Sequence, residues 1–189
     1  MGLLTIIKKQ KLKDKEIRVL MLGLDNSGKT TIVKKILNED VNEVSPTLGF
    51  NIRTVTRGQY KLNIWDIGGQ KTLRPFWRNY FEKTDFMIWV VDASATDRLH
   101  DCRKELQAIL NEDRLVGAGV LIWINKLDLV DPDQRDKTVE RISGHLDLDQ
   151  IPEGHNTTIM GCSAYTGYNL DAGMDLVVKE VSERLFLFD

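Results

Sequence analysis

Short apolar runs alternate along the chain with stretches of helical periodicity. Ile17–Gly23, Phe86–Val91, Val120–Ile124 and Thr157–Cys162 read as strands buried in a sheet. Phe50–Thr56 and Lys61–Trp65 flank Arg57-Gly58-Gln59-Tyr60, a glycine-bearing hairpin signal that predicts an antiparallel pair. Helical patterns cover about Lys29–Leu37, Asp97–Arg114, Asp136–His145 and Asn169–Phe186. Strands alternating with helices predict an α/β fold. The expected sheet has six strands, mostly parallel with one antiparallel strand, and helices on both faces. Leu3, Leu4, Ile6 and Ile7 precede a lysine run, so residues 1–15 read as an amphipathic N-terminal helix and 16–189 as one domain.

Composition narrows the function classes. The 189 residues carry 26 basic and 28 acidic side chains, a net charge of -2 that leaves no electrostatic footprint for nucleic acid. No apolar run is long enough to span a bilayer. Cys102 and Cys162 make no disulfide framework in a chain of this length and are expected as reduced thiols, which points to the cytoplasm. His100, His145 and His155 lack metal-ligand spacing.

The chemistry is carried by loops at strand ends. Gly23-Leu24-Asp25-Asn26-Ser27-Gly28-Lys29-Thr30 matches the phosphate-cradling G-x-x-x-x-G-K-[ST], after a strand and opening a helix. Backbone N–H groups and the helix N-terminus favour phosphates there; Lys29 reaches the β- and γ-phosphates, and the Thr30 hydroxyl suits Mg²⁺. Asn125-Lys126-Leu127-Asp128 follows an apolar strand. The Asp128 carboxylate can accept both guanine N1–H and the 2-amino group, donors that adenine lacks. Asn125 would brace the loops and the Lys126 stem would pack over the base. Ser163-Ala164 follows the last strand, and the Ala164 N–H can donate to guanine O6.

Trp65-Asp66-Ile67-Gly68-Gly69-Gln70 closes the second hairpin strand. Asp66 is placed to hold the Mg²⁺ shell through water, Gly69 to offer its N–H to the γ-phosphate, and Gln70 to orient the attacking water. Thr47 offers a second hydroxyl ligand. A γ-phosphate would order the segment around Thr47 and the segment Gly68–Thr84, and hydrolysis would release both. Leu37–Phe50 contains no arginine. A cis-acting arginine from that stretch is therefore not expected, and an activating protein is expected to supply one, worth about 10³–10⁵ in rate. Arg53, Arg74 and Arg78 are expected at the surface.

G-L-D-N-S-G-K-T-T over Gly23–Thr31, P-T-L-G-F-N over Pro46–Asn51 and W-D-I-G-G-Q over Trp65–Gln70 resemble the ADP-ribosylation-factor-like small GTPases across essentially the whole chain. The resemblance implies the P-loop NTPase small-GTPase fold, GTP/GDP and Mg²⁺ as ligands, slow GTP hydrolysis, and nucleotide contacts that include Asp25, Asn26, Gly28 and Thr31. Met1–Ile6 and Trp77–Glu82 resemble a subtype associated with tubulin-folding cofactors, microtubule function and release of lipidated cargo from carrier proteins. Ile6 stands where the myristoylation motif needs Ser or Thr, and Phe186-Leu187-Phe188-Asp189 has no prenylation cysteine. A monomer without a stable membrane anchor is expected, its N-terminal helix docked on protein. A membrane-trafficking switch of the same family and a protein holding GTP as a structural cofactor are the alternative readings.

Overall fold

The computed structural model describes residues 6, 15–148 and 154–186, without the side chains of 185 and 186. Strand β1 spans Glu16–Leu22, β2 Phe50–Arg57, β3 Tyr60–Ile67, β4 Phe86–Asp92, β5 Gly119–Asn125 and β6 Thr157–Gly161. The helices are α1 Lys29–Ile36, α2 Leu99–Leu110, α3 Arg135–Leu146 and α4 Leu170–Phe186. The six strands form one sheet in the order β2-β3-β1-β4-β5-β6. Only the β2–β3 pair is antiparallel. Six strands, mostly parallel with one antiparallel strand, match the expected sheet.

The continuous apolar runs exist because β1, β4 and β5 are covered on both faces. Side chains alternate by the two-residue period of a strand. Leu20, Leu22, Met87, Trp89, Val91, Ile122 and Ile124 pack against α2 and α3 on one face. Ile17, Val19, Met21, Phe86, Ile88, Val90, Leu121 and Trp123 pack against α1 and α4 on the other. Each large apolar side chain fully buried this way contributes about 1.5–3 kcal/mol. Strand β2, at the sheet edge, buries only Val55 among its eight residues.

Boundaries differ locally. The hairpin strands run further than expected, with Phe50 opposite Ile67, so Asp66 lies inside β3 and not beyond it. The helical pattern Asp97–Arg114 breaks into a 3₁₀ turn Thr96–Arg98, α2, and a second turn Asp113–Leu115. Cys102 and Cys162 are free and buried, as expected of reduced thiols. Burial pushes the Cys102 thiol up to about 11. The expected N-terminal helix lies outside the described residues except for Ile6 and Lys15. No described helix is long and apolar enough to cross a membrane.

Candidate functional site

Parallel strands β1, β4 and β5 deliver their loops to one edge of the sheet, at the point where β3 and β4 flank β1. The loop after β1 turns through Asn26 (φ 62°) and Gly28 (φ 96°), both left-handed, and α1 starts at Lys29. Lys29 is 5% exposed. Its Nζ donates to the carbonyl oxygens of Gly23 and Leu24, both at 2.9 Å. Burial lowers its pKa to about 8, against the opposing pull of Asp66 and Asp25. A buried ammonium at a helix N-terminus makes a site for a polyanion.

Beside it, the three residues assigned to Mg²⁺ converge. Thr30 Oγ1 donates to Asp66 Oδ2 at 2.6 Å and lies 2.8 Å from Thr47 Oγ1. Thr47 Oγ1 is 3.4 Å from the same carboxylate oxygen. Asp66 is buried, and burial raises its pKa in spite of the Thr30 hydrogen bond. Its Oδ1 is buried with no hydrogen-bond partner among the described residues. An all-oxygen donor set with one orphaned carboxylate oxygen fits a hard divalent cation.

A cleft of about 390 Å³ opens over these groups, lined by Asp25, Asn26, Gly28–Thr31, Val44–Thr47 and Gly68–Gln70. Gly69 lies directly on the phosphate loop: a Cβ there would fall 2.3 Å from the Gly23 oxygen and 2.4 Å from the Asp25 nitrogen. The Gly68 carbonyl accepts from Trp77 Nε1 at 2.9 Å, and its N–H donates to the Gly49 carbonyl at 2.8 Å. The half-buried Gln70 folds back over Gly68, and its Oε1 lacks a hydrogen-bond partner among the described residues. Gln70 lines the cleft, and this oxygen is a buried, unpaired acceptor.

The base-reading loops are wired to the phosphate loop. Asn125, fully buried at the end of β5, donates from Nδ2 to the Ser27 carbonyl at 2.9 Å. Its Oδ1 accepts from the Ala164 N–H at 2.9 Å. This is the N–H that the sequence expects to face a base oxygen. Asp128 Oδ1 accepts from Ser163 Oγ at 2.6 Å, which holds the carboxylate at the loop mouth. Lys126 Nζ donates to the Asn26 carbonyl and to Asp92 Oδ2, both at 2.7 Å, so its stem crosses between the two loops.

Sequence reasoning missed Asp92, which anchors Lys126, and Arg98, whose guanidinium clamps Asp25 at 2.7 Å. It also misplaced Arg74. Arg53 pairs with Glu39 and Arg78 with Glu112 at the surface, as expected. Arg74 is instead buried, its side chain 6% exposed, because Asp101, Glu105 and the Gly69 carbonyl take its donors. The two carboxylates lie 27 and 31 residues away, so no local pattern marks it. Among the described residues no histidine, cysteine or carboxylate cluster forms another metal site.

A buried phosphate-loop lysine, hydroxyls converging on a strand-end aspartate and an Asn-Lys-x-Asp loop together define a P-loop GTPase. The family model of the ADP-ribosylation factor family matches residues 3–181, and the chain belongs to that family. It is 54% identical to ADP-ribosylation factor-like protein 2 of Dictyostelium discoideum and 52% to that of Arabidopsis thaliana, each over the full length of both chains. Identity to the Drosophila melanogaster ADP-ribosylation factor-like protein 2 is 46%, again over both full lengths. Among solved structures, the Arl6 BBS3 small GTPase from Trypanosoma brucei with bound nucleotide analogue GppNp superposes with a TM-score of 0.76. That match has 30% identity and covers 89% of this chain and 98% of the other. As a member of this family the chain binds GTP and GDP with Mg²⁺ and hydrolyses GTP.

Proposed function

We propose that the chain is a nucleotide-controlled switch acting in tubulin folding and microtubule function, a cytoplasmic monomer with slow unaided hydrolysis. The observation that carries the switch is the meeting of two separate segments over one site. Thr47, before the hairpin, reaches the Asp66 carboxylate, and Gly69, after it, touches the phosphate loop. A terminal phosphate would bind both segments at once, and its loss would free both.

In this reading Lys29 and the loop N–H groups hold the β- and γ-phosphates, with Asp25, Asn26, Gly28 and Thr31 lining their path. Asp128 reads the guanine edge, backed by Asn125, Lys126, Ser163 and Ala164. Thr30, Thr47 and, through water, Asp66 would hold Mg²⁺, which would supply positive charge beside the phosphate oxygens. Gln70 orients the attacking water. The described arginines near the cleft, Arg74 and Arg98, are committed to carboxylates. An activating protein therefore supplies the arginine that meets transition-state charge.

The two segments frame a surface for partners. Phe50, Trp65 and Tyr80 form a ring cluster with centroids 5.4–6.1 Å apart, and Leu48, Ile52 and Phe76 on the same stretches of chain are exposed. Such a patch suits effectors whose binding follows nucleotide state. Full-length similarity to proteins named ADP-ribosylation factor-like protein 2 supports the subtype, and with it tubulin-folding cofactors and carriers of lipidated cargo as partners. Affinity capture from cytosol with Gln70→Leu protein, loaded with GTP or GDP, tests this. Recovery of tubulin-folding cofactors in the GTP state alone supports the proposal. Coat or trafficking components would overturn the pathway, and the same partners in both states would overturn the switch.

A further inference from the structure

We propose that Arg74 is a positioning residue for hydrolysis, which registers the Gly69–Gln70 loop on the phosphate loop through a charge cluster shared with Asp25, Arg98, Asp101 and Glu105. The proposal rests on the reading of Gln70 given above and goes one layer behind it.

A guanidinium nearly excluded from water is destabilising unless its donors are matched. Arg74 matches them across three parts of the molecule. Nε donates to the Gly69 carbonyl at 3.1 Å. Nη1 reaches Asp101 Oδ2 at 2.9 Å and Glu105 Oε1 at 3.2 Å on α2. Nη2 faces Asp25 Oδ1 of the phosphate loop at 3.6 Å. Asp25 is held in turn by Arg98, through both carboxylate oxygens and its own carbonyl. The guanidinium is planar and rigid, so fixing two of its edges fixes the third. Helix α2 and Asp25 thereby set the position of the Gly69 carbonyl, one residue before Gln70.

The contact is tight enough for this to matter. Gly69 sits against Gly23, Leu24 and Asp25 with no room for a methyl group. A γ-phosphate in the cleft draws on that arrangement through Gly69 and Gln70; GDP, ending at the β-phosphate, does not. Losing Arg74 should loosen the hold on GTP and slow hydrolysis while leaving GDP alone. A scaffold role alone would affect both nucleotides.

The test compares Arg74→Lys, the Asp101→Asn/Glu105→Gln double variant and Gln70→Leu in the full chain. Single-turnover GTP hydrolysis is measured beside dissociation of GDP and of a non-hydrolysable GTP analogue. Arg74→Lys should hydrolyse about tenfold more slowly and release the analogue about tenfold faster, with GDP release within about twofold of wild type. The double variant, which keeps an amide oxygen in reach of Arg74 Nη1 at both positions, should show the same selectivity at smaller size. Gln70→Leu should lose hydrolysis and keep analogue retention. Equal loosening of GDP and analogue, or no change in either, overturns the Arg74 proposal. Normal hydrolysis by Gln70→Leu beside an Arg74→Lys defect overturns the Gln70 reading and leaves Arg74 acting through Gly69.

Discussion

Asn125 and Ser27 stand 98 residues apart in sequence, yet the Asn125 amide donates to the Ser27 carbonyl at 2.9 Å. The same amide accepts from Ala164, so one buried side chain joins the phosphate loop to both base-reading loops. Gly28 makes this approach possible, since a Cβ there would fall 2.3 Å from Asn125 Nδ2. Asn125→Ala leaves the Ser27 carbonyl and the Ala164 N–H without this partner, at about 1–3 kcal/mol each. The expected outcome is a lower denaturation midpoint for the GDP-bound protein and weaker binding of GDP and GTP alike. Loss of one nucleotide only would contradict the bracing role.

Lys29 makes nucleotide affinity depend on pH. Its pKa in the folded protein is about 8, below the ordinary 10.5, because burial disfavours the charge. The unfolded chain therefore binds more protons between those values. The burial penalty, about 3 kcal/mol in full, acts below pH 8 and is relieved as pH rises toward 10.5. A polyphosphate restores the charged form, so binding takes up a proton above pH 8. Affinity of the nucleotide-free protein should fall about tenfold from pH 7 to pH 9. Lys29→Gln, titrated in parallel by competition with a labelled nucleotide, should lack this component; an identical pH profile for the variant would rule it out.

Features that depend on short-range pattern were legible in the sequence. The strands β1, β4 and β5 showed as apolar runs because both their faces are covered, and the loops at their ends followed from motif spacing. Thr30, Thr47 and Asp66 were assigned to one ion from three segments, and they converge within 3.4 Å. Arg74 was not legible, because its burial depends on Asp101 and Glu105, which the fold alone brings beneath it. Asp92 and Arg98 were hidden for the same reason. The Ala164 N–H shows a finer limit: the motif located the residue, but its hydrogen bond to Asn125, 39 residues away, had no local signal.

Gly69 offers a steric test of the coupling between the cleft and the hairpin. A methyl group at this position would meet backbone atoms of residues 23–25 at 2.3–2.4 Å, and backbone cannot swing away as a side-chain tip can. Gly69→Ala should lift the loop from the phosphate loop at a cost of about 1–3 kcal/mol. GTP-analogue affinity should then drop by about tenfold or more, with GDP affinity nearly unchanged. Direct titration of both nucleotides checks this, and a parallel loss of GDP binding would point to general collapse of the phosphate loop.

Thr30 and Thr47 reach the same carboxylate from different kinds of support, and removal of the cation should tell them apart. Thr30 belongs to the first turn of α1 and donates to Asp66 at 2.6 Å, held there by a regular helix. Thr47 lies on the irregular segment before β2, follows five exposed residues, and is 3.4 Å from Asp66. Its contribution therefore requires that segment to close. In wild type, chelation of Mg²⁺ should speed release of both GDP and a GTP analogue by about tenfold or more. Thr30→Ala should already release both quickly, so that chelation adds little. Thr47→Ala should behave as wild type with GDP and lose the chelation effect with the analogue alone. If Thr47→Ala weakened retention of both nucleotides equally, the segment before β2 would be closed in both states, and Thr47 would report no terminal phosphate.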